Sequence, residues 1–205
     1  MRWLALLCLT ASLLCLAPAE GTAAVPGGHI RGVVLTMDGR GYVGLPMNIW
    51  DGKVVRRAVT DINGNFVVSG MVPGSVFAVR WKGKRAADLR IDGLRFPMEG
   101  DLFLSLELAS TGEGKTYTVR IPSNPSTGYG WTILSSGRPP GARLTRNSME
   151  PPTAAPAGTT GRGGWELWTF EGERKGIANV IMGYQRPWEK GKSPAAYHIL
   201  SLMVR

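Results

Sequence analysis

The chain is a succession of short runs in which apolar and polar positions alternate. Residues 116–121, "TYTVRI", alternate at a period of two, and "DLFLSLEL" (101–108) does so from Leu104 on, while "NFVVSG" (65–70) and "WELWTFEG" (165–172) are short strand-like runs. A period of two marks a strand with one face buried. The runs are bounded by turn formers: "MDGRG" after "IRGVVLT", Asp61-Ile62-Asn63-Gly64 before "NFVVSG", and "VPG" before "SVFAVRW". Glycine in such turns takes positive φ at little cost. No long helical stripe follows the N-terminal segment, so the pattern predicts an all-β chain of two β-sandwiches in tandem.

The stretch "LASTGEGK" (108–115) reads as the connection between the halves. It predicts one sandwich over residues 28–109 and a second over 110–205. The strand "DLFLSLEL" could close the first or open the second. Residues 1–24 are set apart as a signal peptide. Met1 and Arg2 precede the apolar core "WLALLCLTASLLCLAP", which is short for a membrane span, and "APA" and "TAA" offer small-residue cleavage sites. Cys15 follows Leu13 and Leu14 where a lipoprotein signal carries small residues. The expectation is an exported protein, periplasmic or secreted, with no membrane span in its mature form.

Both cysteines of the chain, Cys8 and Cys15, fall in that segment. A mature chain without them has no disulfide, thiol nucleophile or cysteine metal ligand, which excludes cysteine-dependent catalysis and zinc-ribbon sites. The formal net charge is +9. Its basic residues are scattered, and for an exported protein an anionic envelope surface or an acidic protein fits such a charge better than nucleic acid does. No cofactor or metal site is expected. Asp61, Asn63 and Asn65 alternate as in a calcium loop, but Gly64 falls fourth and Val72 twelfth, where an EF-hand requires glycine sixth and glutamate twelfth. A hairpin turn accounts for them.

The second half carries the unusual loops. The first is "NPSTGYGW" (124–131), too long and too aromatic for a plain hairpin, which needs only two residues. Pro125 fixes φ, Thr127 is stiff at χ1, and Gly128 permits close backbone approach. A loop stiffened in advance loses less entropy on binding. The second is Gly161-Arg162-Gly163-Gly164, and the third contains Arg186-Pro187-Trp188. In sandwiches, alternate loops gather at one end and can form a continuous binding edge.

In order and approximate spacing these loops resemble the chagasin family of cysteine-protease inhibitors. The motifs are Asn124-Pro125-Ser126-Thr127-Gly128-Tyr129-Gly130-Trp131, then the glycine loop, then Arg186-Pro187-Trp188. Ser126 stands where the family usually has threonine. The resemblance implies an immunoglobulin-like sandwich that plugs the cleft of papain-like proteases. The Asn124 loop would sit near the catalytic cysteine and histidine, with the other loops gripping either side and Tyr129 as a packing support or a contact. Gly28 to Ala109 resembles carboxypeptidase regulatory-like and Cna-B-type modules, small sandwiches of transthyretin-like topology. It does so through its Asp-Gly turn, its Leu-Pro strand and "TDINGNF" with Phe66.

No enzyme is expected. Ser126 and Thr127 lack a neighbouring base in sequence, and His198 lies within a strand, "AYHILSLMV", where a histidine is more often packed or on the surface than catalytic. Trp131 enters a strand and is expected in the core. Of Trp165 and Trp168, on opposite faces of one strand, at least one should point inward. Trp188, in a polar loop beside Arg186, is the candidate anchor. The competing reading is a non-inhibitory adhesion module whose exposed aromatics stack on sugars.

Overall fold

The computed structural model describes residues 27–81, 89–135, 141–151 and 163–205. The N-terminal segment read as a signal peptide, with both cysteines, and Gly161 and Arg162 of the glycine loop lie outside the described residues. The strands are β1 (Gly28–Thr36), β2 (Pro46–Trp50), β3 (Val55–Val59), β4 (Asn65–Met71), β5 (Val76–Trp81), β6 (Leu89–Arg95), β7 (Leu102–Thr111), β8 (Thr116–Ser123), β9 (Gly130–Ile133), β10 (Ala142–Glu150), β11 (Gly164–Gly172), β12 (Gly176–Gln185) and β13 (Ala196–Val204). The described residues contain no α-helix, only a 3-10 turn at Pro125–Thr127. The fold is all-β, as the alternation predicted.

The strands form three sheets. A six-stranded sheet has the order β4-β1-β7-β13-β12-β9, a four-stranded sheet β3-β2-β5-β6, and a three-stranded sheet β10-β11-β8. One face of the large sheet packs on the four-stranded sheet through Ile30, Val34, Phe66, Leu104 and Leu106 against Met47, Ile49, Phe77, Val79 and Ile91. The other face packs on the three-stranded sheet, with Val180, Met182, Leu200 and Leu202 against Val119, Ile121, Trp168 and Phe170. The second of these layers, with β7, β13, β12 and β9 facing β10, β11 and β8, is the immunoglobulin-like sandwich.

β7 belongs to both sandwiches. It pairs in parallel with β1 on one side and with β13 on the other. Leu102, Leu104 and Leu106 point into the first core, while Ala109 enters the second. β13 divides its side chains in the same way, with Tyr197 and Ile199 in the first core and Leu200, Leu202 and Val204 in the second. The strand that could have closed one half or opened the other does both.

The stretch read as a connection is built into the fold. Its first residues complete β7, and the remainder is a turn held by Lys115 N–H to Gly112 O (3.0 Å), Glu113 N–H to Arg205 O (3.1 Å) and Gly114 N–H to Gly172 O (2.7 Å). Asp61 likewise forms a turn, its Oδ1 accepting the backbone N–H groups of Asn63 and Asn65, both at 2.8 Å, with Gly64 at φ +78°. β10 was not legible in the sequence. All but one of its first six residues are exposed, so "ARLTRNSME" has no buried face to impose alternation.

Because the halves share a strand, each depends on the other for burial. Fully burying a leucine or isoleucine contributes about 1.5–3 kcal/mol. A chain beginning at Leu102 would uncover Leu104, Leu106, Tyr197 and Ile199 together. It is expected to self-associate in light scattering or to lose its cooperative melt. In the full chain, Leu104→Ala should cost about 2–5 kcal/mol in urea titration. A truncated chain that stays monomeric and melts as the parent does would show that the halves are energetically separate.

Candidate functional site

The Asn124 loop is organised by its own polar groups. Pro125–Thr127 forms the 3-10 turn, entered from Asn124 in extended conformation (φ −129°) and closed by Gly128 in the left-handed region (φ +79°). Thr127 N–H donates to Asn124 O (3.1 Å) and Gly128 N–H to Pro125 O (2.9 Å). Both hydroxyls are used internally. Thr127 Oγ1 donates to Asn124 O (2.7 Å) and Ser126 Oγ to Asn124 Oδ1 (2.6 Å). Pro125, Ser126 and Thr127 are nevertheless exposed. The tip therefore projects into solvent with its conformation fixed from within.

The Arg-Pro-Trp loop, between β12 and β13, lies beside it. Arg186 Nε donates to Thr127 O (3.2 Å), and the guanidinium sits 4.6 Å from the centre of the Tyr129 ring. Its Nη1 lies 3.4 Å from Glu189 Oε1. Tyr129 stacks on Tyr184 at 5.3 Å, and Tyr184 meets Trp131 at 5.1 Å. The Tyr184 hydroxyl accepts Asn124 N–H (2.9 Å). Trp188 is 66% exposed, yet its ring edge covers Gly128: a Cβ built there would lie 2.5 Å from Trp188 Cη2. Gly128 is thus required both by its positive φ and by the tryptophan.

The end of the glycine loop completes the edge. A Cβ on Gly163 would lie 3.1 Å from Ser123 O and 3.5 Å from Asn124 Cβ, and one on Gly164 would lie 2.5 Å from Glu150 O. Between this segment and the Asn124 loop is an open groove of about 490 Å³. Asn124, Gly163 and Gly164 line it together with Trp165 and Tyr184. The structure therefore brings Asn124–Tyr129, Gly163, Gly164 and Arg186–Trp188 to one end of the sandwich.

Two supporting residues escaped the sequence reading. Tyr184 is one. The other is Glu166, a buried carboxylate at the base of the loops. Its Oε1 accepts from Ser123 Oγ (2.7 Å) and from Trp131 N–H (3.3 Å), and its Oε2 accepts from Trp168 Nε1 (3.1 Å). The available signal was phase: Glu166 shares the inward phase of Trp168 and Phe170 on β11. Trp168 is the inward tryptophan of its strand, whereas Trp165 is half-exposed beneath the Arg120 guanidinium at 3.9 Å. Trp131 is only half-buried; it packs against the second core and donates from Nε1 to Pro122 O (2.9 Å).

His198 is deeply buried on β13. Its Nδ1 shares a hydrogen bond with Ser105 Oγ (2.8 Å), and its Nε2 lies 3.5 Å from Glu107 Oε2, too far for a good hydrogen bond. Glu107 also accepts from the Tyr117 hydroxyl. Serine, histidine and carboxylate meet here, but all three are buried between sheets, so the grouping is a polar seam in the core with no room for a substrate. Burial holds His198 down to about 4, pushes the Glu107 carboxyl up against the hydrogen bond from Tyr117, and pushes the Tyr117 phenol up with help from Glu107.

The sequence profile described as "Chagasin family peptidase inhibitor I42" matches residues 110–200. Amoebiasin-2 of Entamoeba histolytica is 30% identical over 87 residues, covering 42% of this chain and 68% of that protein. Among solved structures, the cysteine protease inhibitor EhICP2 from Entamoeba histolytica is similar with a TM-score of 0.41 and 23% identity, over 51% of this chain and 97% of its own. PbICP-C, solved in complex with falcipain-2, gives 0.35 and 16%, over 50% and 89%.

Removing the Glu166 carboxylate leaves the donors of Ser123, Trp131 and Trp168 without their acceptor. Glu166→Ala is expected to cost about 1–3 kcal/mol in chemical denaturation, and Glu166→Gln less. An Ala variant as stable as the parent would remove Glu166 from its bracing role.

The His198 shift has a definite sign. Folding depresses its pKa, so its contribution is complete above about 6.5 and is lost as pH falls towards 4. Glu107 acts in the opposite direction, its raised pKa giving stability that is lost as pH rises above the ordinary carboxylate value of 4.5. The difference between the parent and His198→Gln isolates the histidine. Between pH 7 and pH 5, urea titrations should show the parent losing stability relative to the variant. An unchanged difference would refute the assignment.

Proposed function

Through its second half this chain belongs to the chagasin family of peptidase inhibitors, and from that premise we propose that it reversibly blocks the active-site cleft of a papain-like cysteine protease. The observation that carries the reading is the joining of the Asn124 loop to the Arg-Pro-Trp loop at one exposed end, through Arg186 to Thr127 O and Trp188 over Gly128. The Asn124 tip enters the cleft. Its hydroxyls are held by Asn124 and His198 is buried in the core, so the tip occupies the cleft without acting as a nucleophile. Because its internal hydrogen bonds are already made, little conformational entropy is lost on insertion. The glycine loop, Gly161 to Gly164, grips one flank and Trp188 the other.

Arg186 acts in this scheme as a strut. Its guanidinium is engaged by Thr127 O, the Tyr129 ring and Glu189, so truncating it releases the central loop. We further propose that residues 1–24 export the protein and that residues 28–109 form a carboxypeptidase regulatory-like module joined to the inhibitor through β7.

Trp188 combines exposure with a fixed seat, the combination found at interface hot spots. Trp188→Ala should weaken inhibition of papain by about 2 kcal/mol or more, which is roughly thirtyfold. Thr127→Ala should act mainly by raising the off-rate, and Arg186→Ala in the same sense. Inhibition constants and dissociation rates check this ordering. If the parent does not inhibit papain-like enzymes, or if Trp188→Ala and Thr127→Ala inhibit as well as the parent, the reading fails.

A further inference from the structure

We propose that the outward face of the four-stranded sheet β3-β2-β5-β6 is a binding site for an acidic polysaccharide, separate from the inhibitory edge. Met47, Ile49, Phe77, Val79 and Ile91 turn that sheet's inner face to the core, so Asn48, Trp50, Arg57, Arg80 and Arg90 lie on its outer face. Register aligns four of them. Arg57 stands opposite Asn48, Asn48 opposite Arg80, and Arg80 opposite Arg90. They form one row across all four strands. At a strand spacing of about 4.8 Å, the row is about 14 Å long.

Like charges placed directly opposite on neighbouring strands destabilise a sheet, so the Arg80–Arg90 pair needs a compensating anion. Asp92 supplies part of it, bonding to Arg90 Nε (2.8 Å). The Arg80 guanidinium lies 5.4 Å from the Trp50 ring centre, and its Nε is buried with no acceptor among the described residues. Buried donors are nearly always paired. An unpaired arginine donor in a basic groove is a seat for a ligand oxygen.

The groove measures about 430 Å³, within the range of small-ligand sites. Its chemistry fits a sugar acid. Trp50 offers a ring face for the apolar side of a pyranose, Asn48 both donates to and accepts from hydroxyls, and the arginines bind a carboxylate or sulfate in forked geometry. A concave site does not conform to a flat bilayer. Single-stranded nucleic acid uses successive aromatic platforms, and Trp50 is the only aromatic side chain on this face among the described residues.

The test uses the full chain and titrates polygalacturonate at low ionic strength, with dextran, single-stranded DNA and anionic phospholipid vesicles alongside. Polygalacturonate should bind and dextran should not, with affinity falling as salt is added. Arg80→Ala should weaken binding by about tenfold. The doubly charge-reversed variant Arg57→Glu/Arg90→Glu, altered only at exposed positions, should abolish it. An unchanged melting temperature establishes that the variants fold, independently of any protease assay. The proposal is overturned if the parent does not bind polygalacturonate, if the double variant binds as the parent does, or if DNA or vesicles bind as tightly as the polysaccharide.

Discussion

Burying both faces of β7 obliges the chain to find partners for Ser105 and Glu107, because polar groups withdrawn from water without hydrogen bonds are costly. His198 and Tyr117 supply them from β13 and β8. This seam runs through the layer between the six-stranded and three-stranded sheets. The apolar side chains of β7 meanwhile hold the opposite layer together. One strand thus fixes three sheets relative to one another, and its register with β13 sets where the strands at the far edge of the large sheet begin and end.

That register reaches the loops. β13 pairs with β12, and β12 pairs with β9, placing Gln185 opposite Gly130 and Tyr184 opposite Trp131. The Arg-Pro-Trp loop leaves β12 where the Asn124 loop enters β9. Arg186 therefore reaches Thr127 O, and Trp188 lies over Gly128. From below, Glu166 ties β8, β9 and β11 together through Ser123, Trp131 and Trp168. The exposed tip is stiff because each layer beneath it is pinned by a buried polar contact.

The charges of the chain divide by their surroundings. At the loop edge Arg186 is engaged in contacts that shape the site, and Glu189 balances it together with Lys192. On the outer face of the four-stranded sheet Arg57, Arg80 and Arg90 are lined up, and among the described residues Asp92 pairs with Arg90. The net charge of +9 conceals this difference, because composition does not record which basic residues already have partners.

The all-β class, the hairpin at Asp61, and the Asn124 and Arg-Pro-Trp loops were determined by sequence alone. Period-two alternation, Asx turns, proline stiffness and glycine at positive φ are local properties of a few consecutive residues. Tertiary structure decided the rest. "DLFLSLEL" alternates as a half-exposed strand should, yet Ser105 and Glu107 are buried, since their cover comes from residues as distant as His198, 93 positions away. "ARLTRNSME" has no alternation and still forms a strand, because β11 supplies its hydrogen-bonding partner. Glu166, Tyr184 and the arginine row acquire their roles only from strand register, which depends on pairing between distant segments and is written in no short stretch of the chain.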